Sequence, residues 1–78
     1  MDRSRLEAEL AQAERAVIDG ASDIAQQVAL IERLRNARHP TAQSEELLAL
    51  LQSAQALRLE ERDRLRSGLK RITDADQL

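Results

Sequence analysis

The side chains with the chemistry to act on a substrate are few and scattered. His39 is the only histidine, and there is no cysteine. Protein zinc sites draw on several His or Cys ligands, so His39 with Glu45 and Glu46 would make a poor one, and the residue reads as part of a turn or helix end. The acidic pairs Glu45/Glu46 and Glu60/Glu61 are adjacent in sequence, and adjacent residues on a helix point in different directions. With no Phe, Tyr or Trp to build an apolar pocket, nothing sets one carboxyl apart as acid and the other as base. Ser22, Ser44, Ser53 and Ser67 would each need a general base, and His39 sits far from most of them. The expectation is a protein without catalytic residues, metal or cofactor.

The stretch "RLEERDRLRSGLKR", Arg58 to Arg71, is the other candidate for chemistry. Arg58, Arg62, Arg64, Arg66, Lys70 and Arg71 together invite a phosphate or nucleic-acid reading. A nucleic-acid surface calls for a basic stripe, with aromatics where bases stack. Here Glu60, Glu61 and Asp63 interleave the basic residues, aromatics are absent, and the formal net charge is −2. An ion-pair network with Glu7, Glu9 and Glu14 of the N-terminal half fits better.

What must position these residues is helix. Leu and Ala occur 13 times each in 78 residues, and with Glu, Arg and Gln filling most of the rest the summed helix propensity is high. The predicted class is all-α, as one domain over residues 1–78. The chain is near the size at which a single core ceases to be self-sufficient, and without cysteines no disulfide can help. Oligomerisation is the remaining common device. The apolar run "LLALL", Leu47–Leu51, is far too short to cross a bilayer, and "MDRSRLEAEL" lacks the apolar stretch of a signal peptide. A cytoplasmic location is expected.

Ser4 followed by Glu7 has the pattern of a capping box, with Asp2 as a competing cap. From there apolar residues recur with alternating steps of four and three. One row is Leu10, Val17, Ile24 and Ile31; the other is Leu6, Ala13, Gly20, Gln27 and Leu34. Gly20 and Gln27 stand where that repeat asks for apolar side chains. Gly20 with Ser22 can be read as a stop and a new cap, and glycine within a helix costs about 1 kcal/mol against alanine. The heptad phase survives Gly20, which favours a notch in one continuous helix over a break into two.

The spacing predicts a helix over about residues 4–37, a turn at 38–41 around His39 and Pro40, a helix over about 42–72, and a frayed tail at 73–78. Pro40 cannot continue the first helix, and Thr41 reads as the cap of the second. Folding the chain about this turn pairs positions whose numbers total about 79. The facing row becomes Leu48, Leu51, Gln55, Arg58, Arg62, Leu65, Leu69 and Ile72. Gly20 then faces Arg58, and Ile24 faces Gln55. Gln27, Gln55, Arg58 and Arg62 form a polar waist around the Gly20 notch, with Asp19 or Asp23 as counter-charges for the arginines.

Leu47, Leu50, Ala54 and Leu57 form a second apolar row beside the first, and Ile18, Val28 and Leu30 lie outside the seam of helix one. Two helices can bury only one stripe each against one another, so this surplus predicts docking elsewhere. The economical partner is a second copy, giving a homodimeric four-helix bundle; the alternative is an adaptor that docks the helix of a different protein.

The region from Gly20 to Leu65 resembles a group of short, uncharacterised proteobacterial proteins common in rhizobia and their relatives. The matching residues are Gly20, Ile24, Gln27, Ile31 and Leu34, then His39 and Thr41, then "LLALL" and "RDRL" at Arg62–Leu65. Members usually read Gly-His-Asp-Thr at the turn, where this chain has Arg38, His39, Pro40 and Thr41. The resemblance implies a bacterial helical hairpin and adds no chemistry.

Overall fold

In a computed structural model, which describes residues 2–76, the chain is an antiparallel hairpin of two long helices, α1 (Arg3–Asn36) and α2 (Ala42–Asp76). No strand occurs among the described residues. The molecule is a rod of 62 × 16 × 14 Å, one helix pair thick.

α1 begins one turn's fraction earlier than the capping-box pattern suggests. Asp2 is the N-cap: its backbone is extended and its carboxylate accepts from the Arg5 amide at 2.9 Å. Ser4 lies inside the helix. Starting at Asp2 gains a further backbone bond, Leu6 N to Asp2 O at 3.1 Å, and brings Arg3 into the helix, where it pairs with Glu7 at 3.3 Å. Gly20 does not interrupt α1, which is continuous over its 34 residues, and its φ is not positive. The notch reading holds.

α1 ends in a Schellman motif. Arg38 takes the left-handed conformation with φ 61°, its amide donates to the Arg35 carbonyl at 3.0 Å, and the His39 amide donates to the Leu34 carbonyl at 2.8 Å. These two bonds satisfy carbonyls that the helix end would otherwise leave free. Pro40 follows and prevents the helix from resuming. Thr41 precedes α2, and its carbonyl accepts from the Glu45 amide at 2.9 Å.

α2 runs four residues past its expected end. Residues 73–76, expected to fray, are helical, because Arg3 holds them: its guanidinium donates to Thr73 Oγ1 at 3.0 Å and to Asp76 Oδ2 at 3.1 Å. The remainder of the expected tail, residues 77 and 78, lies outside the described residues.

The register follows the count about the turn. Gly20 meets Arg58, Leu6 lines one cleft with Ile72, and Ala13 lines another with Leu65, as expected. Each also meets the α2 residue three or four positions earlier: Gln55, expected opposite Ile24, lies against Gly20, Gly68 against Leu6, and Glu61 beside Ala13. The interhelical ion pairs Arg35–Glu45, Glu14–Arg66 and Arg3–Asp76 total 80, 80 and 79, in the same register.

The seam is thin. Leu6 and Ile31 are the buried apolar side chains, and no described side chain is fully buried. Leu10, Val17, Ile24, Leu48, Leu51, Leu65, Leu69 and Ile72 are all half-buried.

Candidate interaction site: the waist and the exposed apolar row

Two glutamines cross the seam at the waist. Gln55, 9% exposed, donates from Nε2 to the Val17 carbonyl at 2.8 Å; Gln27, 8% exposed, donates to the Ser44 carbonyl at 2.8 Å. A backbone carbonyl has two lone pairs and a helical bond uses one, so each amide takes an acceptor that the opposite helix still offers. At Val17 the approach is open because Gly20, three residues on, has no side chain. A Cβ at Gly20 would overlap Gln55 Oε1 and lie 2.9 Å from Gln55 Cδ and 3.1 Å from Arg58 Nη1. The notch is filled by the Gln55 amide first and by the Arg58 guanidinium second.

Of the expected waist, Gln55 and Arg58 come together at Gly20, and the rest differs in three respects. Gln27 and Gln55 do not keep one another's company: each bonds the opposite backbone, at different levels of the rod. Arg58 neighbours Gly20 as expected, but Gln55 comes closer still. Asp19 and Asp23 are exposed and, among the described residues, neither pairs with an arginine of the waist. Arg62 instead binds its sequence neighbour Asp63 at 2.9 Å. Gln55 Oε1 is buried and accepts no hydrogen bond.

The expected ion-pair network is mostly intrahelical. Glu7 pairs with Arg3, Glu9 with Arg5 at 3.4 Å, and Glu61 with Arg64. Of the three N-terminal glutamates only Glu14 reaches across, to Arg66 at 3.3 Å. An arginine three or four residues from a glutamate on the same helix is already within reach of it, and Arg3 pairs both ways, with Glu7 on α1 and with Asp76 on α2. All these pairs are substantially exposed, and such pairs contribute at most ~1 kcal/mol each.

The second apolar row lies open to solvent. Leu50 is 68% and Leu57 67% exposed, Leu47 is exposed as well, and Ala54 is half-buried. On α1, Ile18 is 68% exposed and Val28 is also exposed. At its Leu57 end the row borders a shallow notch of about 220 Å³ lined by Ala13, Ala16, Leu57, Arg58 and Glu61. The Ala16 contribution escaped the sequence reading; its signal was a small residue one turn after Ala13 on the same flank of α1.

His39 is exposed in the turn and serves through its backbone. Glu45 is held by Arg35 at 3.0 Å. Among the described residues no three His, Cys, Asp or Glu side chains come together as a metal site would require, and no helix is long and apolar enough to cross a membrane. No family model, curated protein or solved structure matches the chain.

Proposed function

We propose that this protein is a non-enzymatic helical interaction module that acts as a self-associated assembly, a homodimer in its simplest form. The observation that carries the reading is the quantity of apolar surface outside the seam, concentrated on Leu47, Leu50 and Leu57 of α2. A monomer rarely leaves so many large aliphatic side chains in a row uncovered.

Its dimensions support the same reading. The radius of gyration is 17.8 Å, against about 11.5 Å for a compact domain of this length. The accessible surface is 5999 Å², against about 4,800 Å² for a compact monomer of this mass. Two chains collapsing to the surface of a compact dimer would remove about 4,000 Å² in total, within the range of obligate homodimers. Sedimentation equilibrium over a hundredfold concentration range tests the proposal. A dimer is expected at micromolar concentration, and a monomer at every concentration would overturn it.

A second reading has one observation of its own. Ile18 and Val28 are exposed on α1, away from the α2 row, so a dimer built on that row leaves an apolar strip free for a different protein's helix.

A further inference from the structure

We infer that the second copy seats on the Leu47–Leu57 flank with its α2 antiparallel to the first, Leu50 of each copy entering the notch beside Leu57 of the other. The inference rests on the self-association proposed above and adds its face, direction and register.

The flank carries a projection and a depression at different levels. Leu50 stands out from α2 at 68% exposure, and seven residues along, about 10 Å on a helix, the notch of about 220 Å³ opens between Leu57 and the small side chains of Ala13 and Ala16. A twofold interface pairs residue i with j and j with i. A dyad perpendicular to the rod, passing between Leu50 and Leu57 near Ala54, therefore fills both notches with both leucines. A dyad along the rod would set Leu50 against Leu50 and notch against notch, leaving the depressions unfilled and Glu61 beside Glu61.

Charge bears on the same direction. From Arg58 to its end α2 carries Arg58, Arg62, Arg64, Arg66, Lys70 and Arg71 against Glu60, Glu61, Asp63, Asp74 and Asp76, close to balance. Antiparallel α2 helices in this register set Glu45 of each copy beside Arg62 of the other and Glu46 beside Glu61, whereas parallel helices would set every charge against its own copy. Antiparallel dipoles act in the same sense. A second copy suits this flank because it supplies both the leucine and the notch that a twofold interface needs, and the accessible surface of 5999 Å² leaves room for an interface of the size obligate homodimers use.

The absence of cysteine from the 78 residues makes the test clean. Single variants Ala54→Cys, Leu47→Cys, Glu61→Cys and Ile18→Cys are oxidised under mild conditions and resolved on non-reducing gels. Position 54 lies near the dyad and is expected to give covalent dimer, with 47, 61 and 18 giving little. Equal cross-linking at 47, 54 and 61 would mean parallel helices and overturn the inference. A dimer by sedimentation that fails to cross-link at 54 would overturn it while leaving self-association intact. A monomer by sedimentation overturns both. Ala16→Leu, which fills the notch, is expected to weaken the dimer at least tenfold with helicity retained by circular dichroism; an unchanged dissociation constant in a folded variant would also sink the proposed seat.

Discussion

Gly20 has its place because of Gln55. Alanine is worth about 1 kcal/mol more than glycine in a helix interior, but a Cβ here would displace the Gln55 amide and sever its bond to the Val17 carbonyl. Stranding a buried amide costs about 1–3 kcal/mol. Gly20→Ala is therefore expected to destabilise the wild-type protein by about 1 kcal/mol, yet to stabilise a Gln55→Ala background by about 1 kcal/mol. Urea denaturation of the four proteins measures the cycle, and the same sign in both backgrounds would contradict the packing described. Arg38 gives the opposite case. A side chain in the left-handed region costs roughly 1–2 kcal/mol, and nothing in the fold requires that side chain there. Arg38→Gly is expected to raise stability by about 1 kcal/mol, read as an increase in the urea midpoint without change in slope.

At the scale of elements, the end of α2 depends on Arg3. Removing its bonds to Thr73 and Asp76 by Arg3→Ala should release the last turn while changing global stability by less than ~1 kcal/mol. Amide hydrogen exchange would show faster exchange at residues 73–76 and little change at the waist. Uniform acceleration would mean that Arg3 supports the whole hairpin. The element pattern was legible in the sequence because heptads at Leu10, Val17, Ile24 and Ile31 and a proline at the turn are local signals. Continuity through Gly20 was legible for the same reason. The count from the turn found Arg58 beside Gly20 and Ile72 beside Leu6, but not which of two α2 residues a turn apart comes closer, because that is set by side-chain conformation. The acceptors of the two glutamines are backbone carbonyls at Val17 and Ser44, which carry no residue-type signature at all.

Over the whole molecule, a rod with two buried apolar side chains has little interior to protect. Under the proposed self-association, linkage ties stability to concentration, since a partner that binds only the folded chain stabilises it by mass action. The melting temperature is expected to fall by several degrees on hundredfold dilution, measured by circular dichroism at matched ionic strength. A melting temperature independent of concentration would mean that the hairpin stands on its own seam. Added salt should matter less than dilution, because the ion pairs are exposed and individually weak.

The five residues between Asn36 and Ala42 fix which chain closes the seam. With Arg38 left-handed and Pro40 unable to continue a helix, α2 must fold back on its own α1, and the short tether holds the two at an effective concentration in the millimolar range. Were the turn replaced by helix-forming residues, α1 and α2 would merge into one helix of about 110 Å. Gln55 could then find the Val17 carbonyl only in another molecule, through the same bonds exchanged between chains. The turn thus decides between a contact within a molecule and a contact between molecules, while every residue of the seam stays as it is.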